Sequence, residues 1–264
     1  MRFGVCQYQI MWEQKKENFC TVVSYFEQAK KQKVEMILLP EMSLTGFSMN
    51  VKKTRDTYEN ETISRFQKLC QDMKISAGFG WVEQTGDRKA HNHYTIVDER
   101  GNVLSDYTKI HPFTYGKEAE YFEGGDSLVA CHAGEHKIAT AICYDLRFPE
   151  LFRILDKDCS VVVIPANWPD ARKEHWNCLL QARAIENQIY VIGINCVGTM
   201  DGTYYSGYST VMDPLGNHLA QIIDEEGLLI VDIPNNVERY RDKFPVRKDQ
   251  RIEVMHKIGS GGSV

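Results

Sequence analysis

The chain has 264 residues, 43% of them hydrophobic and 25% charged, with a formal net charge of -5. These values exclude a disordered, collagenous or low-complexity chain and leave enough apolar material for a sizeable core. They also exclude the basic field that a phosphate backbone requires, so no nucleic acid is expected as a partner. No run approaches the roughly 18 apolar residues of a membrane span, so no membrane partner is expected. The eight cysteines, at positions 6, 20, 70, 131, 143, 159, 178 and 196, are scattered. They form no C-x-x-C pair and no clustered Cys/His spacing, which argues against a disulfide framework and against a structural zinc site. With no signal-peptide pattern at the start, reduced thiols in the cytoplasm are the expectation.

Residues 2–9, RFGVCQYQ, alternate as a strand does, and residues 13–33 place Phe19, Val22, Val23, Phe26 and Ala29 at helical spacing. VEMILLP then makes a short buried run that stops at Pro40. Strand, helix, strand is a βαβ unit, and open α/β sheets place their sites at such strand ends. A second helix is predicted over 62–74, followed by the strand ISAGFGWVE, a turn near Gly86 and a strand over 93–98. The ERGN turn leads into VLSDYTK, and residues 111–127 are irregular. HKIATAIC resumes as a buried strand, and FPELFRIL begins a helix with Pro149 in its first turn. CSVVVIPAN predicts another buried strand, 172–187 a helix, and YVIGINCVG a strand. YSGYSTVMD, the DPLG turn and IDEEGLLIVDI predict antiparallel hairpins closing the sheet system. No linker or repeat interrupts the pattern, so residues 1–258 read as a single α/β domain and GSGGSV, 259–264, as a mobile tail.

Three chemically capable residues each follow a buried run directly: Glu41 after MILLP, Lys109 after VLSDYT and Cys143 after KIATAI. A thiol attacks only as thiolate, so it needs a base for its proton and a cation for the charge that develops. Glutamate and lysine are those groups. Singly, each has a plain structural alternative: a buried thiol, a loop carboxylate and a solvated hairpin end.

Around these residues stand LLPEMSLTGF, YTKIHPF and ICYDLRFPELFR, in that order. Together they resemble the three signatures of the nitrilase superfamily of carbon-nitrogen hydrolases, and the resemblance runs over nearly the whole chain. PANWPDARKEHWNCLLQARAIENQ, YYSGYSTVMDPLG and ERYRDKFPVRKD are similar to its omega-amidase and 2-oxoglutaramate amidase branch. The resemblance implies a four-layer α-β-β-α sandwich, a homodimer, and a mechanism with no metal or cofactor. It implies that Cys143 attacks an amide carbonyl, that Glu41 moves the proton, and that Lys109 holds the oxyanion. Glu118, with Glu120 as the alternative, matches a second glutamate of the family. The implied substrate is a small primary amide, the omega-amide of a short 2-oxo dicarboxylic acid. N-carbamoyl amines and nitriles remain alternatives, and a thiol redox or binding protein using Cys143 is a reading of a different class.

Several neighbours are candidates for substrate contact. The peptide N–H of Tyr144, just after the nucleophile, is a second oxyanion donor, and a helix after Cys143 would lower its pKa. Arg147 either pairs with Asp145 or another carboxylate of the fold, or meets a substrate carboxylate, a role for which Arg172 and Lys173 are runners-up. Asn167 and Trp168 end a strand where a pocket wall is expected, although Trp168 could equally be core. His91 and His93 alternate on one strand and read as surface residues, not metal ligands. Arg183 and Glu186 read as a surface helix pair.

Overall fold

A computed structural model describes residues 1–56, 61–84, 88–155 and 158–249. The turn expected near Gly86 and the tail at 259–264 lie outside them. Six strands from the first half of the chain share one sheet: β1 (Arg2–Gln7), β2 (Met36–Leu38), β3 (Arg55–Asp56), β4 (Ser76–Glu83), β5 (His91–Val97) and β6 (Val103–Thr108). A second sheet holds β7 (Ala130–Ala133), β8 (His136–Thr140), β9 (Val161–Pro165), β10 (Tyr190–Ile194), β11 (Val197–Met200), β12 (Thr203–Met212) and β13 (His218–Ile223). The last strand, β14 (Gly227–Asp232), returns to the first sheet and pairs antiparallel with β1.

That return corrects the expected closing hairpin. β13 pairs with β12 in one sheet and β14 with β1 in the other, so the IDEEG segment ties the sheets together. The cause lies in the apolar run of β14. Leu228 and Ile230 pack with one core cluster while Leu229 and Val231 pack with another, so this strand needs a sheet covered on both faces. YVIGINCVG also departs from expectation by breaking into β10 and β11. There the Asn195 side chain accepts from the Trp168 amide at 2.8 Å and donates to the Gly207 carbonyl at 2.6 Å, capturing backbone groups beside the strand end.

The helices are α1 (Lys15–Lys31), α2 (Val51–Thr54), α3 (Glu61–Met73), α4 (Glu118–Tyr121), α5 (Pro149–Ile154), α6 (Lys173–Asn187) and α7 (Val237–Lys243). The long ones fall where apolar spacing predicts them. Val22 and Phe26 of α1 and Phe66 of α3 pack with Ile37 and Phe79 of the first sheet. Met36 and Leu38, alternating with Ile37, face instead Val161, Val163 and Ile192 of the second sheet. On that sheet's far side, Val162 and Ile164 pack with Phe152 of α5 and with Trp176 and Leu180 of α6. The layers are therefore helix, sheet, sheet, helix, a four-layer α-β-β-α sandwich. No helix among the described residues is long and apolar enough to cross a membrane.

Both sheets carry parallel strands at their centres, β1, β2 and β4 in one and β8, β9 and β10 in the other. The carboxyl ends of β2, β8 and β9 lead into Glu41, Cys143 and Asn167. Side chains from two sheets can therefore meet at one end of the sandwich.

Candidate active site

Glu41, Glu118 and Cys143 each stand at or beside a left-handed residue. Glu41 precedes Met42, whose φ is 46°. The turn lies against β4, where the Gly80 amide donates to Ser43 Oγ at 2.8 Å and the Ser43 amide donates to the Gly80 carbonyl at 3.0 Å. A Cβ at Gly80 would meet the Met42 nitrogen at 2.3 Å, so only glycine allows the approach. Lys109 leaves β6 with its amide donating to the Asn92 carbonyl at 2.8 Å. Glu118 follows Lys117, a left-handed residue with φ of 61°. Cys143 itself has φ of 45° and opens a short 3-10 turn, Cys143–Arg147. Left-handed backbone at a residue with a Cβ is costly, and surrounding contacts must impose it. Here Asp145 supplies them: Oδ2 accepts from the Ile142 amide at 3.0 Å and from the Tyr107 hydroxyl at 2.8 Å, and Oδ1 accepts from the His111 amide at 2.9 Å.

Lys109, Glu41 and Glu118 form one buried cluster. Lys109 Nζ is 2.8 Å from Glu41 Oε1 and 2.8 Å from Glu118 Oε2, and neither the lysine nor the glutamates reach more than 1% exposure. Asn92 Nδ2 donates to Glu41 Oε1 at 2.8 Å and to Glu118 Oε1 at 3.1 Å. The Phe113 amide donates to Glu118 Oε2 at 2.6 Å, and the Asn167 amide to Glu41 Oε2 at 3.0 Å. Burial alone would push the Lys109 ammonium down, but Glu118 and Glu41 outweigh it and hold its pKa above the ordinary value. Burial pushes the Glu118 carboxyl up, and Lys109 opposes that rise.

The two carboxylates differ in what remains free. Glu118 Oε1 meets Asn92 and Lys109, and its Oε2 meets Lys109 and Phe113, which uses the acceptor capacity of both oxygens. Glu41 Oε1 is likewise taken by Lys109 and Asn92, whereas the close donor to Oε2 is the Asn167 amide. The Asn167 side-chain amide reaches Oε2 only at 3.5 Å, so this is the more loosely held oxygen and the one better placed to take a proton. Beside the cluster, Cys143, Tyr144, Arg147, Asn167 and Trp168 all line a cavity of ≈ 590 Å³. Cys143 is half-buried there. Its pKa runs opposite to the effect expected of a following helix. Burial pushes the thiol well up and Glu41 adds to this, against a downward pull from Lys109. The 3-10 turn is too short to supply a strong dipole.

Four further expectations change. Arg147 does not pair with Asp145, which is taken up by Tyr107, His111 and Ile142; its Nη2 lies 3.2 Å from His175 Nδ1, with the guanidinium 4.8 Å from the Trp168 ring. Lys173 pairs with Asp170 at 3.0 Å outside the cavity lining, whereas Arg172 belongs to that lining. Arg183 does pair with Glu186, at 3.1 Å, but from a buried position, and it also donates to the Leu146 carbonyl at 2.8 Å in the turn after Cys143. His93 is buried as well, stacked on Trp81 at 4.7 Å, because β5 is a central strand whose outward face that indole covers. Trp168 serves both readings, lining the cavity and packing 5.4 Å from Trp176. Glu118 stands at Lys109, while Glu120 is exposed. Asn92 and Asn195 escaped the sequence reading, as did the role of Asp145 beneath Cys143; Asn92, set between His91 and His93, gives no local signal.

The carbon-nitrogen hydrolase family model matches residues 2–242. A 2-oxoglutaramate amidase of Bacillus subtilis (strain 168) is 31% identical over 252 residues, covering 94% of this chain and 96% of that one. An omega-amidase of Escherichia coli (strain K12) is 34% identical over 223 residues, covering 81% and 84%. Among solved structures, a CN-hydrolase superfamily protein of Xanthomonas campestris with an arsenic adduct in its active site superposes with a TM-score of 0.86 at 25% identity, over 95% of this chain and 97% of that one.

Proposed function

The chain belongs to the carbon-nitrogen hydrolase family and acts on non-peptide amide bonds, and from that premise we propose that it is a cysteine amidase for the omega-amide of short 2-oxo dicarboxylic acids. Cys143 Sγ attacks the amide carbonyl as Glu41 Oε2 takes the thiol proton. The carbonyl oxygen becomes an oxyanion held by the Lys109 ammonium and the Tyr144 peptide N–H. The C–N bond then breaks as Glu41 returns the proton to the leaving nitrogen, releasing ammonia and leaving an acyl thioester on Cys143. Water, deprotonated by Glu41, attacks the thioester; the C–S bond breaks, the acid leaves, and the thiol regains its proton. Glu118 and Asn92 are positioning residues in this scheme, orienting Lys109 and Glu41.

The observation that carries the proposal is the single ammonium shared by two buried carboxylates, of which only Glu41 keeps an oxygen held by one short hydrogen bond and clear of the ammonium. A thiol whose pKa is held high fits a base that removes the proton during attack rather than a standing thiolate. That arrangement disfavours a redox or binding thiol, which needs thiolate character and no buried Glu–Lys–Glu cluster. The choice of a 2-oxo acid amide rests on the named activities of the relatives and on two arginines in the cavity wall, Arg147 and Arg172. In this reading the enzyme is a cytoplasmic homodimer working without a metal or cofactor in the reaction; light scattering in solution checks the dimer.

Ammonia release tests both levels. 2-Oxoglutaramate and 2-oxosuccinamate should give higher kcat/KM than an N-carbamoyl amine or a simple nitrile, and Cys143→Ala should lose more than about 10³-fold on every substrate. A nitrile or carbamoyl amine at the top of the panel overturns the substrate assignment. Substantial turnover by Cys143→Ala overturns the nucleophile.

A further inference from the structure

We propose that Glu83, His91 and His93 form a binding site for a divalent first-row transition metal of the zinc type, on the face of β5 opposite the active site. Glu83 ends β4 directly across from His91, and His93 follows two residues along β5, so all three side chains project from one face. Glu83 Oε2 lies 3.3 Å from His91 Nδ1 and 3.6 Å from His93 Nε2, and the three potential ligand atoms lie within 4.8 Å of one another. A tetrahedral zinc with bonds of about 2.0–2.2 Å keeps neighbouring ligand atoms about 3.3–3.6 Å apart. Two of the three edges already have that length. Two imidazoles and one carboxylate suit a metal of intermediate softness rather than calcium or magnesium, which take oxygen ligands.

His93 supplies a second, independent observation. It keeps only 8% of its surface exposed, yet its Nε2 reaches no partner in hydrogen-bond geometry. An imidazole nitrogen left unmatched in a ring buried against Trp81 is costly, and an ion on Nε2 removes that cost. Asp106 Oδ2 stands 3.0 Å from the other nitrogen, Nδ1, and Asp106 Oδ1 accepts from Thr95 Oγ1 at 2.6 Å. A carboxylate behind a ligating histidine fixes its ring and tautomer. Glu83 and His91 are each about one-third exposed, which gives the ion an entry path and room for water as a fourth ligand. On the reverse face of the same strand, Asn92 holds Glu41 and Glu118. An ion bridging β4 and β5 here therefore braces the strand that carries the carboxylate frame.

Isothermal titration with zinc chloride on the intact chain tests the site. One saturable equivalent is expected in the wild type and in Cys143→Ser, with loss of at least tenfold in affinity in Glu83→Gln, His91→Ala and His93→Ala. Asp106→Asn should weaken binding by about tenfold. Zinc should raise the melting temperature of the wild type and of Cys143→Ser, but not of half-exposed His91→Ala, which serves if His93→Ala fails to fold. Cobalt loading should give no thiolate charge-transfer absorption. Unchanged affinity in both His91→Ala and Glu83→Gln overturns the proposal, as does a zinc equivalent that disappears in Cys143→Ser or the absence of saturable binding in the wild type.

Discussion

Glu118 meets Lys109 at 2.8 Å with neither side chain reaching solvent, and no oxygen of that carboxylate is left without a donor. Such a saturated carboxylate orients its neighbours; it has no capacity to shuttle a proton. Glu118→Gln should therefore lower kcat by about 10²-fold, the cost of a misplaced catalytic group, while KM changes little. Glu118→Ala should in addition destabilise the fold by about 3–5 kcal/mol, because it removes one partner of a buried ion pair. Steady-state kinetics and denaturant melts of the two variants check this. A large rise in KM with kcat preserved would place Glu118 in substrate binding instead.

Glu41 and Cys143 should separate turnover from thiol reactivity. The Glu41 charge helps to hold the Cys143 pKa up, so Glu41→Gln removes both the base and one obstacle to ionisation. Turnover should fall by about 10²–10⁴-fold, the usual worth of a general base. Alkylation of Cys143 by iodoacetamide, followed by mass spectrometry, should become faster than in the wild type at the same pH. In both proteins Cys143 should label ahead of Cys159 and Cys196, which are fully buried, whereas exposed Cys20 and Cys178 label in parallel. Slower alkylation of Cys143 in Glu41→Gln would mean that the glutamate activates the resting thiol.

Glu41 and Cys143 follow apolar runs and Lys109 a half-exposed edge strand, and what made the three visible together was the resemblance of their flanking sequence to three family signatures. What surrounds them was hidden by distance along the chain. Asn92 lies 51 residues from the Glu41 it bonds and Asn167 lies 126 residues away, and no periodicity reports contacts of that separation. The choice between Glu118 and Glu120 turns on Lys117, whose left-handed backbone opens α4 and aims the first glutamate inward. Helices α1, α3 and α6 were readable from their apolar spacing, whereas the crossing of β14 pairs residues 227–232 with residues 2–7, a separation that no periodicity reports. His93 was misread because alternation gives the face a side chain takes but not the indole that covers it.

His136 should make the fold acid-sensitive. It is fully buried, with Nε2 3.1 Å from the Ile233 carbonyl and Nδ1 3.0 Å from Ser160 Oγ. A carbonyl only accepts, so Nε2 carries the proton and the Ser160 hydroxyl donates to Nδ1, an arrangement that suits the neutral ring. Burial pushes its pKa below the ordinary 6.5. Between that depressed value and 6.5 the unfolded chain binds more protons than the folded one. Stability from the neutral ring is thus present above 6.5 and lost as pH falls through the folded value. The melting temperature of the wild type should drop more steeply than that of His136→Gln between about pH 7 and pH 5. Parallel curves would show that the histidine titrates alike in both states.

The cavity wall assigns substrate discrimination to Arg147 before Arg172. Both guanidinium groups stack on aromatic rings, Arg147 over Trp168 at 4.8 Å and Arg172 over Phe113 at 5.5 Å, and neither binds a carboxylate among the described residues. A contact with a ring face holds a guanidinium in place, and although Arg147 Nη2 lies 3.2 Å from His175 Nδ1, its other N–H groups can still meet a carboxylate. Arg147 is four residues from Cys143 in the same 3-10 turn, so its head is tied to the thiol by a short, fixed stretch of backbone. A substrate carboxylate held there contributes binding energy that positions the amide carbonyl against Cys143. Arg147→Met should therefore cost about 10- to 100-fold in kcat/KM for 2-oxoglutaramate, the worth of a charged hydrogen bond, and much less for an amide with no carboxylate. Arg172→Met should show the same selectivity at smaller size. Equal losses on both substrates for Arg147→Met would reduce that residue to a packing role on Trp168, and a larger selective loss for Arg172→Met would move the carboxylate to the Phe113 side of the cavity.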